Sequence, residues 1–245
     1  MMPMARTSRR ARRTSPLNLP SAFDLFTPSK ELVLKNIWIF GPLYAVPFIF
    51  WIHSWIWSPL PNQHVQWWQH SGGLSSGWTG SPLPTYGTFL VVGFSIMWLV
   101  LIGVVGTIVQ VMTQSAQLDA AEDRSLDFQD LWKVAKTVSW SMFKLYVATA
   151  LAIVFSLFIF TRRYFLSSYV MLDEKLGVRD SMRRSAELSK LNPGSVWGII
   201  GVMLLIGMVN IIPVIGGLVS FALGGLYSVA PALRYQQLKR ISQLT

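Results

Sequence analysis

Residues 37–57 read IWIFGPLYAVPFIFWIHSWIW, without one charged side chain. About twenty such residues cross the hydrocarbon of a bilayer as a helix. The charge-free stretch is longer still, because no Asp, Glu, Lys or Arg occurs between Asn36 and Leu118. A charge at the bilayer centre costs about 2.5–3.5 kcal/mol on insertion scales, which gives a physical reason for so long an exclusion. Composition agrees: 52% of residues are hydrophobic, 13% are charged and the mean hydropathy is +0.43. Soluble domains carry about 25% charged residues. Pro42 and Pro47 would break a soluble helix but are tolerated in a membrane span, where neighbours satisfy the freed carbonyls. A kinked first span is expected, with His53 as a packed residue rather than a ligand.

Outward from this span, residues 58–86 form a polar, uncharged loop rich in Pro, Gly, Ser and Trp. Trp51, Trp55, Trp57, Trp67, Trp68 and Trp78 cluster around it, as in an aromatic belt at headgroup level. His64 and His70 lack the spacing of a zinc pair and have no acidic neighbour. A second span is expected over 88–112. Beyond it, Asp119, Glu122, Asp123, Asp127 and Asp130 interleave with Arg124, Lys133 and Lys136. This cluster lacks the ligand spacing of a calcium loop and reads as a solvated face. Leu126, Leu131, Val134 and Val138 share a helical face, so an amphipathic interfacial helix is expected there.

The third apolar segment, 140–172, is interrupted by Arg162 and Arg163, and its Lys144 lies where it can snorkel. A basic amphipathic stretch follows over 173–190, with Arg179, Arg183 and Arg184; Arg183 and Glu187 are spaced to pair. Pro193–Gly194 ends it. The fourth and fifth segments, 196–212 and 214–233, are separated by a turn at Pro213. In the fifth, Gly216, Ser220, Gly224, Ser228 and Ala232 recur every four residues, a ladder that lets another helix approach closely. The fourth segment is the favoured partner.

The expected fold is therefore an all-α integral membrane protein. It is a helical bundle of about five apolar segments, four full spans plus one ambiguous or re-entrant, with amphipathic interfacial helices. Residues 1–30 are expected to be a basic, disordered cytoplasmic tail, and 31–240 a single membrane domain. The net charge of +10 reflects the tail (Arg6, Arg9, Arg10, Arg12, Arg13) and the flanks of apolar segments. That pattern suits anionic lipid headgroups, and the tail lacks the aromatic interleaving of a nucleic-acid surface. Arg9–Arg10 lie too far from the apolar run for a twin-arginine export signal. The absence of cysteine excludes disulfides and thiolate chemistry. No cofactor motif, Gly-rich phosphate loop or metal-hydrolase signature occurs, so no enzyme activity and no cofactor are expected.

Basic flanks place the N-terminus in the cytoplasm. If 140–172 crosses once, the basic 173–190 stretch and Lys239–Arg240 fall outside, against the positive-inside rule. If it enters and returns, both lie inside, but Arg162 and Arg163 then approach the far interface. The re-entrant reading is preferred.

The run RRYFLSSYVMLDEKLGVRDSMRRSAELSK, Arg162–Lys190, resembles a family of bacterial membrane proteins similar to the membrane domain associated with glycerophosphodiester phosphodiesterases. The resembling positions are Arg163, Tyr169 to Leu172, Asp173–Glu174, Gly177, Ser181 and Ser185, followed by an apolar hairpin with Tyr227. The resemblance implies a multi-pass protein of the bacterial cytoplasmic membrane. It implies no active site, since the phosphodiesterase chemistry belongs to a separate soluble barrel. The leading expectation is a scaffold, partner subunit or modulator of envelope or lipid processes, contacting membrane lipids or a membrane protein partner through Arg162, Arg163, Arg179, Arg183 and Arg184. The alternative is a transporter or channel component with a polar site near Arg162 and Arg163.

Overall fold

The computed structural model describes residues 19–57, 86–156, 160–212 and 215–244, which are helical with no strand among them. The basic arginines of the tail, His64, His70, Trp67, Trp68, Trp78 and Pro213 lie outside the described residues.

A short helix, α1 (Phe26–Lys35), meets α2 (Ile37–Trp57) at a 100° bend on Asn36. Pro42 and Pro47 sit inside α2 without breaking it. Residues 26–30, drawn into the expected tail, form the first turns of α1. Ser21 and Asp24 bond reciprocally, Ser21 N–H to Asp24 Oδ2 at 2.8 Å and Asp24 N–H to Ser21 Oγ at 3.2 Å. This reciprocal pair closes the turn that leads into α1, whose own N-cap, Leu25, makes no side-chain cap bond, and α1 buries Ser29 and Val33.

Helix α3 (Tyr86–Ala121) runs past the expected end of its span and buries Val111 to Leu118. Asp127 then caps α4 (Phe128–Phe155) by accepting from the Gln129 N–H at 3.1 Å. The separate interfacial helix expected over 126–138 does not form. Nothing between Phe128 and Phe155 stops a helix, so the amphipathic turns and the third apolar segment become one continuous rod, about 42 Å long at 1.5 Å per residue.

The chain continues through α5 (Thr161–Tyr164), α6 (Ser167–Glu174) and α7 (Val178–Leu191). Lys175, with φ 52°, ends α6 in the left-handed conformation. Asn192 caps α8 (Pro193–Met208), which tightens into a 3₁₀ turn at Val209–Ile211. The hairpin returns as α9 (Ile215–Tyr227) and runs on as α10 (Ala230–Leu244).

Among the described residues, three helical stretches are long and apolar enough to cross a membrane: Phe128–Phe155, Pro193–Ile211 and Ile215–Leu244. The bent α1–α2 pair makes up to four. Among the described residues the count is three to four, against an expectation of four full spans plus one ambiguous segment. The segment drawn over 140–172 supplies one long helix and two short ones, because its second part is broken around Phe165 and packs as α5 and α6.

Four contacts between separate elements bring charged side chains of the described residues together at one end of the bundle. Lys35 pairs with Asp123 at 2.8 Å, Gln236 with Glu122 at 2.5 Å, Lys239 with Asp173 at 2.6 Å, and Arg184 with Glu174 at 3.5 Å. Trp38, Trp132 and Trp197 are exposed in the first two turns of α2, α4 and α8, and Trp140 is exposed near the middle of α4. Beyond these indoles the surface is apolar: Val147, Leu151, Val154 and Phe155 on α4, Leu204, Leu205 and Met208 on α8, and Leu218 and Val219 on α9 are all exposed. An exposed apolar band beside exposed indoles is the surface a bilayer solvates.

Candidate functional site

The charged end is built around the last turns of α3, where Thr113, Gln114, Ser115 and Gln117 are buried among Val111, Met112 and Ala116. Buried amides need partners, and tyrosines from neighbouring helices supply them. Tyr146 of α4 donates to Gln114 Oε1 at 3.1 Å and Tyr169 of α6 donates to Gln117 Oε1 at 2.7 Å. Tyr44 of α2 bonds the Ser228 hydroxyl at the α9–α10 junction.

The Tyr169 ring stacks on Tyr235 of α10, with centroids 6.3 Å apart. Tyr235 in turn donates to Asp173 Oδ2 at 2.5 Å, and Lys239 donates to the same oxygen at 2.6 Å. One carboxylate at the end of α6 therefore holds two successive turns of α10. Arg184 bridges Glu174, Glu187 and the Ser242 hydroxyl at 3.5, 3.6 and 3.1 Å. Burial pushes the Asp119 carboxyl up, and Arg124 offsets this in part. Asp123 is held below the ordinary carboxylate value by its bond to Lys35 and by that ammonium's charge.

Three side chains clip the start of the described chain to the α9–α10 junction. Ser29, wholly buried, donates to the Leu226 carbonyl at 2.7 Å and accepts from the Val229 N–H at 3.2 Å. Tyr227 donates to the Ala22 carbonyl at 2.8 Å, and Arg234, also wholly buried, donates to the Pro20 carbonyl at 2.7 Å.

The five arginines singled out from sequence do not form one patch. Arg162 and Arg163 lie half-buried on α5 against α7, where their backbone carbonyls accept from Ser189 at 2.9 Å and Ser185 at 2.7 Å. The Arg163 guanidinium rests 4.6 Å over the Phe160 ring. Arg179 and Arg183 face outward on α7, Arg183 beside Asp180 at 3.3 Å. Arg184 turns inward, so it is Arg184 rather than Arg183 that reaches Glu187. The inner face of α7 is Ser181, Ser185, Leu188 and Ser189. A stripe of hydroxyls at four-residue spacing holds this helix to the protein, and the charged face of the amphipathic stretch is turned outward.

In the small-residue ladder, a Cβ on Gly216 would overlap the Val209 carbonyl oxygen, and one on Gly224 would stand 3.9 Å from Ile206 of α8. Ser220 is buried, whereas Ser228 faces Tyr44 of α2. The ladder thus meets two helices of its own chain, α8 and α2.

Comparison with protein-family profiles, curated proteins and solved structures finds no match. Among the described residues no group of three or more His, Cys, Asp or Glu side chains is placed to hold a metal ion. What the arrangement does chemically is compensate charge: Asp173, Glu174 and Glu122 each meet donors from other elements. Sequence reasoning missed Gln114, Gln117, Tyr235, Lys239 and Arg234. The signal for the first pair was TQSAQ at 113–117, five residues with one apolar member continuing a helix just past an apolar run.

Proposed function

We propose that this chain is a non-enzymatic, multi-pass protein of the bacterial cytoplasmic membrane that acts as a scaffold or partner subunit in envelope or lipid processes. Its charged end faces the cytoplasm in this reading. The observation that carries it is the division of the surface, with basic side chains and exposed indoles at one end and a bare apolar band beyond. Basic residues are retained on the cytoplasmic side of bacterial membranes, and the contacts among 35, 119–123, 173–184 and 235–242 support placing all of them there. Re-entry of the 140–172 segment accommodates this arrangement without moving a basic stretch across the bilayer.

The hydrogen-bonded network supports a role in holding shape. Its carboxylates are compensated within the fold, and its tyrosines and amides tie α2, α3, α4, α6 and α10 together. The resemblance of Arg162–Lys190 to the phosphodiesterase-associated membrane domain favours lipid or envelope processes. The alternative of a solute pathway near Arg162 and Arg163 draws less support, since both residues pack against α7 at the charged end.

The test is reconstitution of the full chain in liposomes with flux measurements on a panel of small solutes. The scaffold reading expects the leak of protein-free liposomes. Solute uptake that disappears in Arg163→Ala would replace it with the transporter reading.

A further inference from the structure

A groove of about 720 Å³ runs between the first half of α4 and the α6–α7 junction. Its floor is apolar, formed by Val134 and Val138 on one wall and Met171, Leu172 and Leu176 on the other. Its rim carries three ammonium groups, Lys133, Lys144 and Lys175, with the hydroxyls of Thr137 and Ser141 between them, and no carboxylate belongs to the lining. This is a concentration of positive side chains whose one ion-pair partner, Asp130 beside Lys133, lies outside the lining.

The three lysines line the groove at different heights. Lys133 is in the second turn of α4, and Lys175 is itself the left-handed residue that ends α6. Lys144 lies about 16 Å further along α4 by its rise per residue. However, its ammonium rests over the Trp140 ring, 5.2 Å from the centroid. Trp140 is one turn nearer the start of α4, so the Lys144 charge is directed back towards the other two. Trp132 and Trp140 are exposed on the same helix, which puts the groove at the level where indoles and headgroups meet. Lys133 also pairs with Asp130 at 2.8 Å, but both side chains are about seven-tenths exposed, and an exposed pair of this kind yields readily to a competing anion.

The geometry points to a binding site for an anionic phospholipid of the surrounding bilayer, with its phosphate among Lys133, Lys144 and Lys175 and an acyl chain along Val134, Val138, Met171 and Leu172. This rests on the membrane assignment proposed above, and it names a lipid contact distinct from the arginines of α5 and α7. A zwitterionic lipid brings an ammonium of its own to the same lysines and is disfavoured. A free phosphate leaves the apolar floor unused.

The test is native mass spectrometry of the full chain in detergent, titrated with phosphatidylglycerol, phosphatidylcholine or glycerol phosphate. Phosphatidylglycerol is expected to remain bound at least about tenfold more strongly than phosphatidylcholine, with no retention of glycerol phosphate. Replacing all three lysines by Gln should abolish that preference, replacing them by Arg should keep it, and Arg179→Gln with Arg183→Gln should leave it intact. The Arg replacement guards against a merely misfolded Gln variant. Equal retention by the Gln triple variant, or equal retention of glycerol phosphate, would overturn the site. Extraction of the wild-type chain from membranes by alkaline carbonate would instead overturn the membrane reading on which it rests.

Discussion

Lys239 and Asp173, 66 residues apart in sequence, meet at 2.6 Å on the side of the bundle where α3 gives way to α4. Tyr235, one turn earlier on α10, donates to the same carboxylate oxygen. Gln236 reaches Glu122 from the neighbouring position. Three contacts within about one turn of α10 therefore fix the last helix to the ends of α6 and α3 together. An ammonium and a phenol on one carboxylate also leave little residual charge at a junction that lies close to the apolar band.

The pair should be worth more than a surface salt bridge, because the side chains are only 24% and 14% exposed. Asp173→Asn is expected to lower stability by about 1.5–3 kcal/mol, as for a charge-assisted bond with a shielded partner. In a double-mutant cycle with Lys239→Met, thermal unfolding in detergent should give a coupling of about 1 kcal/mol. Arg183→Gln, which touches only the exposed Asp180, should change stability by less than about 0.5 kcal/mol. Equal effects of the two substitutions would contradict the assignment of Asp173 as the anchor of α10.

Gly216 and Gly224 should respond oppositely to the same chemical change. At Gly216 a methyl group collides with the Val209 carbonyl in the hairpin, whose backbone is already committed to a 3₁₀ turn. Gly216→Ala is expected to cost about 3 kcal/mol or more and to broaden the size-exclusion profile. Gly224→Ala meets Ile206 at ordinary van der Waals distance and should be neutral or slightly stabilising, since alanine is about 1 kcal/mol the better helix former.

Ser29 holds a break in another helix pair. Its hydroxyl both donates to Leu226 and accepts from Val229, so Ser29→Ala leaves a buried N–H and a buried carbonyl short of a partner. A loss of about 1–3 kcal/mol is expected, with faster hydrogen exchange at the Val229 amide than in the wild type. An unchanged exchange rate there would show that the hydroxyl is not the amide's partner.

Helices long and apolar enough to cross a membrane were legible because they depend on long apolar runs: 37–57 and 196–208 are each one helix, and 215–233 is helical but for a break at 228–229. The finer arrangement depended on weaker signals. Ser21 and Asp24 close the turn before α1, but a basic, Ser- and Pro-bearing context hides a bonded pair three residues apart. Helix α7 was read from its arginines, while its placement is decided by Ser181, Ser185 and Ser189, which repeat every fourth residue and hold the backbone of α5 at the latter two. Lys175 could not be read as a helix stop, because a left-handed residue is usually Gly or Asn. The lysine groove joins residues about forty positions apart and has no local signature at all.

The central claim is that residues 119–137, 173–190 and the C-terminal helix share one side of the membrane, opposite the α8–α9 turn. The chain has no cysteine, so single probes can be introduced by Asp130→Cys, Arg183→Cys, Leu244→Cys and Asn210→Cys, all at exposed positions. Labelling with a membrane-impermeant maleimide should modify the Asn210 variant in intact cells and the other three only after the membrane is permeabilised. Labelling of the Arg183 or Leu244 variant in intact cells, with the Asp130 variant still protected, would contradict the account.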